Sequence, residues 1–233
     1  MSRTLKALSL LLTYPTAELQ AAVPQLAAAI SRDGIIRPSE RRALDRLIQE
    51  TASNDLYDLQ ERYVLLFDRT RPLSLHLFEH VHGESRDRGQ AMIDLKAMYE
   101  QNGLEIDAAE LPDFLPLFLE FLSTLPLERA CEQLAQPAHI LSALAERLRK
   151  RGSAYEAIFR ALVTLAHTQP RSEEVEAVLQ EPDPEPTDFA ALDAAWEDEP
   201  VSFGPGASSC KDTLISRMRA ARRPAPGLPP RGA

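Results

Sequence analysis

Apolar residues at helical spacing from Leu5 to about Leu165 constrain the fold of this chain more than any other feature. They recur three or four positions apart, as in Leu56, Leu59 and Tyr63, and this spacing is typical of amphipathic helices. Runs that alternate apolar and polar residues, as strands do, are absent. Between residues 1 and 169 only five glycines occur, each at or near the end of a predicted helix. We therefore expect an all-α fold, with a single helical bundle over residues 1–169.

The composition changes after Pro170. Residues 171–200 contain eleven Asp or Glu and one basic residue, and ten of the eighteen prolines lie from Pro170 onward. Such segments cannot bury enough apolar surface to fold alone. Residues 170–233 are therefore predicted to form a flexible tail, acidic and then basic. Within this tail, a small docking segment is predicted from Leu192, Trp196, Val201 and Phe203.

The net charge indicates which class of partner the chain binds, and the cysteines and the N-terminal segment indicate its compartment. The net charge of −9 over 233 residues argues against nucleic acid and favours a partner segment that carries Arg or Lys. The two cysteines lie far apart and indicate neither a disulfide framework nor a metal-ligand pair. The N-terminal apolar run stops at Pro15, too early for a signal peptide or a membrane span. The sequence is thus typical of a cytoplasmic protein.

Polar residues crowd the junction between two predicted helices. One helix is predicted through Leu73 and Leu77 to Gly83, and the next from about Asp87, as N-cap, to Gly103. Arginines at the start of the second helix could pair with the glutamates of the first and order the junction. The candidate residues are His76, Glu79, His80, His82, Glu84, Arg86, Asp87 and Arg88.

Two interpretations of the histidines remain open at this point. His76, Glu79 and His80 match the H-x-x-E-H pattern of inverted zincins, in which two histidines on one helix face hold zinc beside a glutamate base. No downstream tract supplies a third ligand, which a catalytic zinc site requires. We therefore favour a structural role, in which the histidines satisfy buried polar groups and cap helix ends, over a zinc metallopeptidase.

A further helix is predicted to open at Pro112–Asp113, with Asp113 near its positive end. Phe114, Leu117 and Phe121 follow at helical spacing, and such rows are more often core than ligand site. No glycine-rich phosphate loop, dinucleotide fingerprint or nucleophile elbow is present. The residues alone thus indicate an all-α cytoplasmic protein with one polar junction, and do not by themselves give a function.

Two long motifs resemble a known family. LFEHVHGESRDRGQAM (77–92) and ELPDFLPLFLEFL (110–122) are similar to the NarJ family of nitrate reductase assembly chaperones, also called delta subunits and related to the TorD/DmsD chaperones. LLTYP near the N-terminus, LQERYVLLFDR (59–69) and LDAAWEDE (192–199) also fit, so the resemblance covers residues 5 to about 210. Many relatives have His directly after the Pro-Asp pair, where this chain has Phe114.

The resemblance implies a cytoplasmic, all-helical chaperone of the TorD-like type that is not an enzyme and holds no cofactor. Such chaperones bind the N-terminal segment of the apo catalytic (molybdenum) subunit of respiratory nitrate reductase. They keep it open for insertion of the molybdenum cofactor and prevent premature docking at the membrane. Proteins of molybdenum cofactor biosynthesis are further candidate partners.

Our hypothesis for recognition is an amphipathic client helix in an apolar groove. The candidate apolar lining comprises Tyr63, Phe67, Leu77, Phe78, Phe114, Leu117 and Phe121. Glu79, Glu84, Asp87 and Asp113 are predicted to meet positive groups of the client, and His80, His82, Arg86, Arg88 and Pro112 complete the candidate site.

Overall fold

The all-α prediction is confirmed. The computed structural model describes residues 2–82, 86–106, 110–180 and 183, all within the compact unit Met1–Leu192. No strand occurs within these ranges, and none of their helices is long and apolar enough to cross a membrane. The described helices are α1 Arg3–Leu11, α2 Ala17–Asp33, α3 Pro38–Ser53, α4 Leu56–Tyr63, α5 Glu79–His82, α6 Arg86–Gln101, α7 Leu115–Thr124, α8 Leu127–Ala135, α9 Ala138–Lys150, α10 Glu156–Leu165 and α11 Ser172–Leu179.

Local signals account for several helix ends. The Ser2 and Thr16 side chains accept hydrogen bonds from the amides of Leu5 and Leu19 and so cap α1 and α2. Gly34 ends α2 in the left-handed conformation, with φ of 64°, which glycine adopts without steric cost. Gly34 is one of the five glycines that the sequence places at or near helix ends.

The core is built around α1, which packs between α2 and α7, while α9 packs against α10 and α11. Leu5, Leu8 and Leu12 are fully buried in it, as are Leu119 and Leu122 of α7. Burial of each such side chain stabilises the fold by about 1.5–3 kcal/mol relative to an exposed one. These helices therefore form a closely packed core, and the segments between α4 and α7 are attached to it.

The helix predicted through Leu73 to Gly83 is wrong for most of its length. A short 3-10 turn covers Arg71–Leu73, and only Glu79–His82 is α-helical. Between them the backbone pairs with the chain just before α7: the Leu115 amide donates to the Leu75 carbonyl at 2.8 Å, and the Leu77 amide to the Asp113 carbonyl at 3.1 Å. This long-range pairing satisfies backbone N–H and C=O groups that would bond within the segment if it were a helix. The spacing of apolar residues within the segment does not indicate such a pairing.

The segment just after Pro170 also differs from the prediction of a solvated tail. Residues Ser172–Leu179 form α11, which packs against α9 and buries Val178. The buried Arg147 of α9 donates to the carbonyls of Val178 at 2.8 Å and of Pro72 at 2.6 Å. Helix α11 carries three glutamates and lies in a Pro-rich, acidic stretch, so a compositional argument overlooks its apolar side. The docking segment predicted around Trp196 lies outside the described residues.

Candidate functional site

Asp113 organises the junction between the 74–78 segment and α7. Its side chain is fully buried. One carboxylate oxygen lies 3.1 Å from Nδ1 of His76, and the other accepts the Phe78 amide at 3.0 Å. Helix α7 begins at Leu115 with Phe114 as its N-cap, so it starts two residues after Asp113, where the sequence predicts it to open. Asp113 instead fixes an extended segment that is distant in sequence.

His76 is the partner of Asp113 on the outer side of this contact. Its ring is half-buried and packs against the Phe114 ring at 5.3 Å. The hydrogen bond to Asp113 raises the pKa of His76, although burial opposes the shift. Neighbouring Glu79 and Glu110 raise the pKa of His76 further. His76 therefore lies beside a buried carboxylate that favours its protonated form.

Because the folded-state pKa of His76 lies above its unfolded value, its ion pair should stabilise the fold fully below about pH 6.5. That contribution should be lost as the pH rises through the folded-state pKa. Unfolding free energies of the wild type and His76→Gln, measured from acidic to alkaline pH, should therefore differ most at the acidic end. A difference that stays constant or grows with pH would contradict the proposed pairing.

His80 has the opposite environment. Its Nε2 lies 2.9 Å from the Ser74 carbonyl and must donate to it, which leaves Nδ1 as the unprotonated nitrogen. Nδ1 is buried and has no hydrogen-bond partner among the described residues. Burial lowers the pKa of His80. His80 is thus a neutral structural histidine that fixes the turn between Ser74 and α5.

The zinc interpretation of the histidines is not supported. His76 lies in the extended segment and His80 in α5, so the two do not share one helix face. The Nδ1 of His76 and the Nε2 of His80 are already engaged by Asp113 and Ser74. Within the described ranges, no group of three or more His, Cys, Asp or Glu residues could hold a metal ion.

A second contact connects α5 to the start of α6. Arg88 donates to Glu79 at 3.1 Å, and both side chains are about a quarter exposed. This pair matches the bracing contact that the sequence predicts. Because it is partly solvated, we expect it to contribute about 1 kcal/mol or less. The side chains of His82, Arg86 and Asp87, and the whole of Glu84, lie outside the described residues, so their roles stay predictions.

Several aromatic residues predicted to line a groove pack instead into the core. Tyr63 and Phe67 are buried with Tyr155, and the Tyr63 hydroxyl donates to the Leu12 carbonyl at 2.9 Å. Phe121 is buried against Tyr99, whose hydroxyl donates to the Pro112 carbonyl. Tertiary packing thus buries these three side chains, and none of them lines the groove described below. Their part in client binding stays a prediction.

The groove in the structure has a different lining. A cleft of about 490 Å³ lies between α6 on one side and the end of α8 and start of α9 on the other. Leu77 and Phe78, both in the predicted set, contribute to it, whereas Phe114 and Leu117 do not. The lining residues are Leu77, Phe78 and Val81, then Ala91, Asp94, Leu95 and Met98 of α6, Phe118 of α7, and Gln133, Gln136, Pro137, His139 and Ile140.

The α6 side of the groove is the part that sequence reasoning missed. Ala91, Leu95 and Met98 are spaced to share one helix face, yet each is only partly buried. In α6, among residues 88–101, only Tyr99 is buried. When a helix carries several apolar residues but buries only one of them, part of its apolar face lacks a packing partner. The groove is that uncovered face.

A second cleft of about 400 Å³ lies between α3, α9 and α10 and has a charged rim. Its arginines pair within their own helices, Arg149 with Glu146 at 2.6 Å and Arg160 with Glu156 at 3.5 Å. Five of its nine lining residues are charged, namely Glu40, Glu146, Arg149, Glu156 and Arg160. The groove beside α6 is therefore the stronger candidate site.

Comparison with known proteins gives consistent matches. The profile of the family described as nitrate reductase delta subunit matches residues 15–161. The chain is 43% identical over 208 residues to the nitrate reductase molybdenum cofactor assembly chaperone NarJ of Escherichia coli K12, covering 89% of this chain and 87% of that protein. It is 33% identical over 177 residues to the Bacillus subtilis protein named as a probable NarJ chaperone, covering 76% and 95%.

A crystal structure from Archaeoglobus fulgidus, described as a redox enzyme maturation protein, is similar in fold. The TM-score is 0.53 at 22% identity, over 72% of this chain and 94% of that one. At this identity the similarity concerns the fold alone.

Proposed function

The chain belongs to the nitrate reductase delta subunit family, and on that premise we propose that it binds the apo catalytic (molybdenum) subunit of respiratory nitrate reductase during assembly. The relatives are named as assembly chaperones and match this chain over most of their length. The family is thus one of chaperones and not of catalytic enzymes. The metallopeptidase alternative has no support in the geometry of His76 and His80.

The site that we propose for the client is the groove between α6 and the α8–α9 junction. The observation that carries this proposal is its apolar lining, which runs from Ala91 to Met98 along α6. At 1.5 Å per residue these positions span about 10 Å, or two helical turns. An amphipathic helix with apolar residues at i, i+3, i+4 and i+7 fits such a surface. We propose that the N-terminal segment of the catalytic subunit supplies this helix.

Binding of the client in the groove has two consequences for assembly of the enzyme. A client whose N-terminal segment lies in the groove cannot use that segment to dock at the membrane. The rest of the subunit stays open for insertion of the molybdenum cofactor until the chaperone leaves. We place this step in the cytoplasm, and proteins of cofactor biosynthesis are candidate partners of the complex.

The test places one carboxylate inside the groove and one outside it. Leu95→Asp puts a charge into the apolar face that the client must cover, and a buried charge without a partner is strongly unfavourable. We expect this variant to lose about thirtyfold or more in client affinity, as for a central interface contact. In cells that lack the chaperone, it should fail to restore nitrate reductase activity.

Ile93→Asp is the matched control, since Ile93 lies on the same helix but is 62% exposed and does not line the groove. It carries the same new charge and should restore nitrate reductase activity to the wild-type level. Ile93→Asp should melt as the wild type does, and thermal melting of Leu95→Asp checks that it stays folded, since Leu95 packs partly against the core. Equal rescue by the two variants would show that the groove does not hold the client.

A further inference from the structure

Asp94 is a charged residue within an otherwise apolar or neutral wall. It is the single carboxylate among the described residues that line the groove, and no Lys or Arg lines it there. It lies on α6 between Ala91 and Met98, three residues after the first and four before the second. Asp94 is exposed, so a client helix in the groove can reach its carboxylate.

The bonds of Asp94 within the protein leave its charge unmatched. Its Oδ1 accepts one hydrogen bond, from the Gln90 amide side chain at 2.8 Å, and no Lys or Arg in the described ranges forms an ion pair with it. Among the described side chains of α6, both cations are paired with other residues: Arg88 with Glu79 at 3.1 Å, and Lys96 with Glu100 at 3.8 Å. A helix that enters the groove would therefore meet a carboxylate that can still accept a charged donor.

We propose that Asp94 is a specificity-determining residue that pairs with one Lys or Arg at the border of the apolar face of the client helix. This inference rests on the proposed function, because it concerns the same groove. When a client helix covers Leu95 and Met98, water is displaced around Asp94 and the ion pair becomes stronger than one on an open surface. A segment with Asp or Glu at that border position is rejected by the same carboxylate.

A double-mutant cycle tests the proposal directly. The probe is a synthetic peptide of the first fifteen residues of the nitrate reductase catalytic subunit, together with versions in which each Lys or Arg is singly replaced by Gln. For the wild-type chaperone, one replacement should weaken binding by about fivefold or more. For Asp94→Asn, the same replacement should have nearly no effect, because the interaction is already absent.

Glu100→Gln is the control for long-range electrostatics. It removes one negative charge from the same helix, at an exposed residue that does not line the groove. This variant should show the same pattern of peptide affinities as the wild type. Asp94→Lys should bind the parent peptide about tenfold or more weakly, and should be rescued by the peptide with Glu at the critical position.

The outcomes separate this inference from the proposed function. If the wild type binds the parent peptide but every replacement acts equally on the wild type and on Asp94→Asn, Asp94 does not read the client and only this inference falls. If the wild type binds no peptide at all, both the inference and the groove model fall. Selective coupling at one basic residue, with rescue by charge reversal, supports both.

Discussion

Replacing Asp113 by alanine should lower the free energy of unfolding by about 3–5 kcal/mol, as expected when one member of a buried charged contact is removed. The carboxylate is fully buried and accepts from both His76 and the Phe78 amide. Its loss leaves both the Phe78 amide and the His76 ring without their acceptor. Leu77 and Phe78 line the groove, so client affinity should fall together with stability.

Chemical denaturation of Asp113→Ala beside Glu110→Ala measures this effect. Glu110 is exposed and lies three residues earlier, so its replacement removes the same charge without a buried contact. Glu110→Ala should unfold at nearly the denaturant concentration of the wild type. If both variants unfold alike, Asp113 does not hold the 74–78 segment in place.

Replacing Arg147 by methionine should cost about 2–5 kcal/mol of stability, because two buried carbonyl groups lose a charged donor. Arg147 is 1% exposed and donates to the carbonyls of Pro72 and Val178. Methionine retains much of the side-chain volume, so the loss reflects hydrogen bonding more than a cavity. Since Val178 lies near the end of α11, this helix should detach first.

Hydrogen exchange can follow that detachment at residues 172–179. Amides of α11 should exchange faster in Arg147→Met than in the wild type, while those of α1 and α7 stay protected under native conditions. Arg149→Met is the matched control, because Arg149 lies on the same helix, is 59% exposed and pairs with Glu146. Unchanged protection of α11 in Arg147→Met would show that this helix is held by other contacts.

Most of the helical framework is predictable from sequence because its signals are local. Ser2, Thr16 and Gly34 mark helix ends through their own side chains or backbone freedom. The helix predicted through Leu73 to Gly83 fails because residues 75–77 pair with residues 113–115, almost forty positions away. Helix α11 is not predicted because its three glutamates suggest a solvated segment, and only one of its side chains, Val178, is buried.

The candidate site is only partly predictable for the same reason. Leu77, Phe78 and the Glu79–Arg88 pair lie in one short stretch, whose unusual polarity draws attention to it. The opposite side of the groove comes from residues 133–140, and nothing in the sequence indicates that α6 lies beside them. The sequence singles out Asp113, but local reasoning assigns it to a helix start and not to His76.

Calorimetric titration of the fifteen-residue N-terminal peptide of the catalytic subunit into the wild type and Leu95→Asp is the most direct test of client binding in the groove. We expect the wild type to bind the peptide with a negative heat-capacity change, the mark of apolar burial, and Leu95→Asp to bind it about thirtyfold or more weakly. Absence of binding to the wild type, or equal affinity for the two proteins, would contradict binding at this groove.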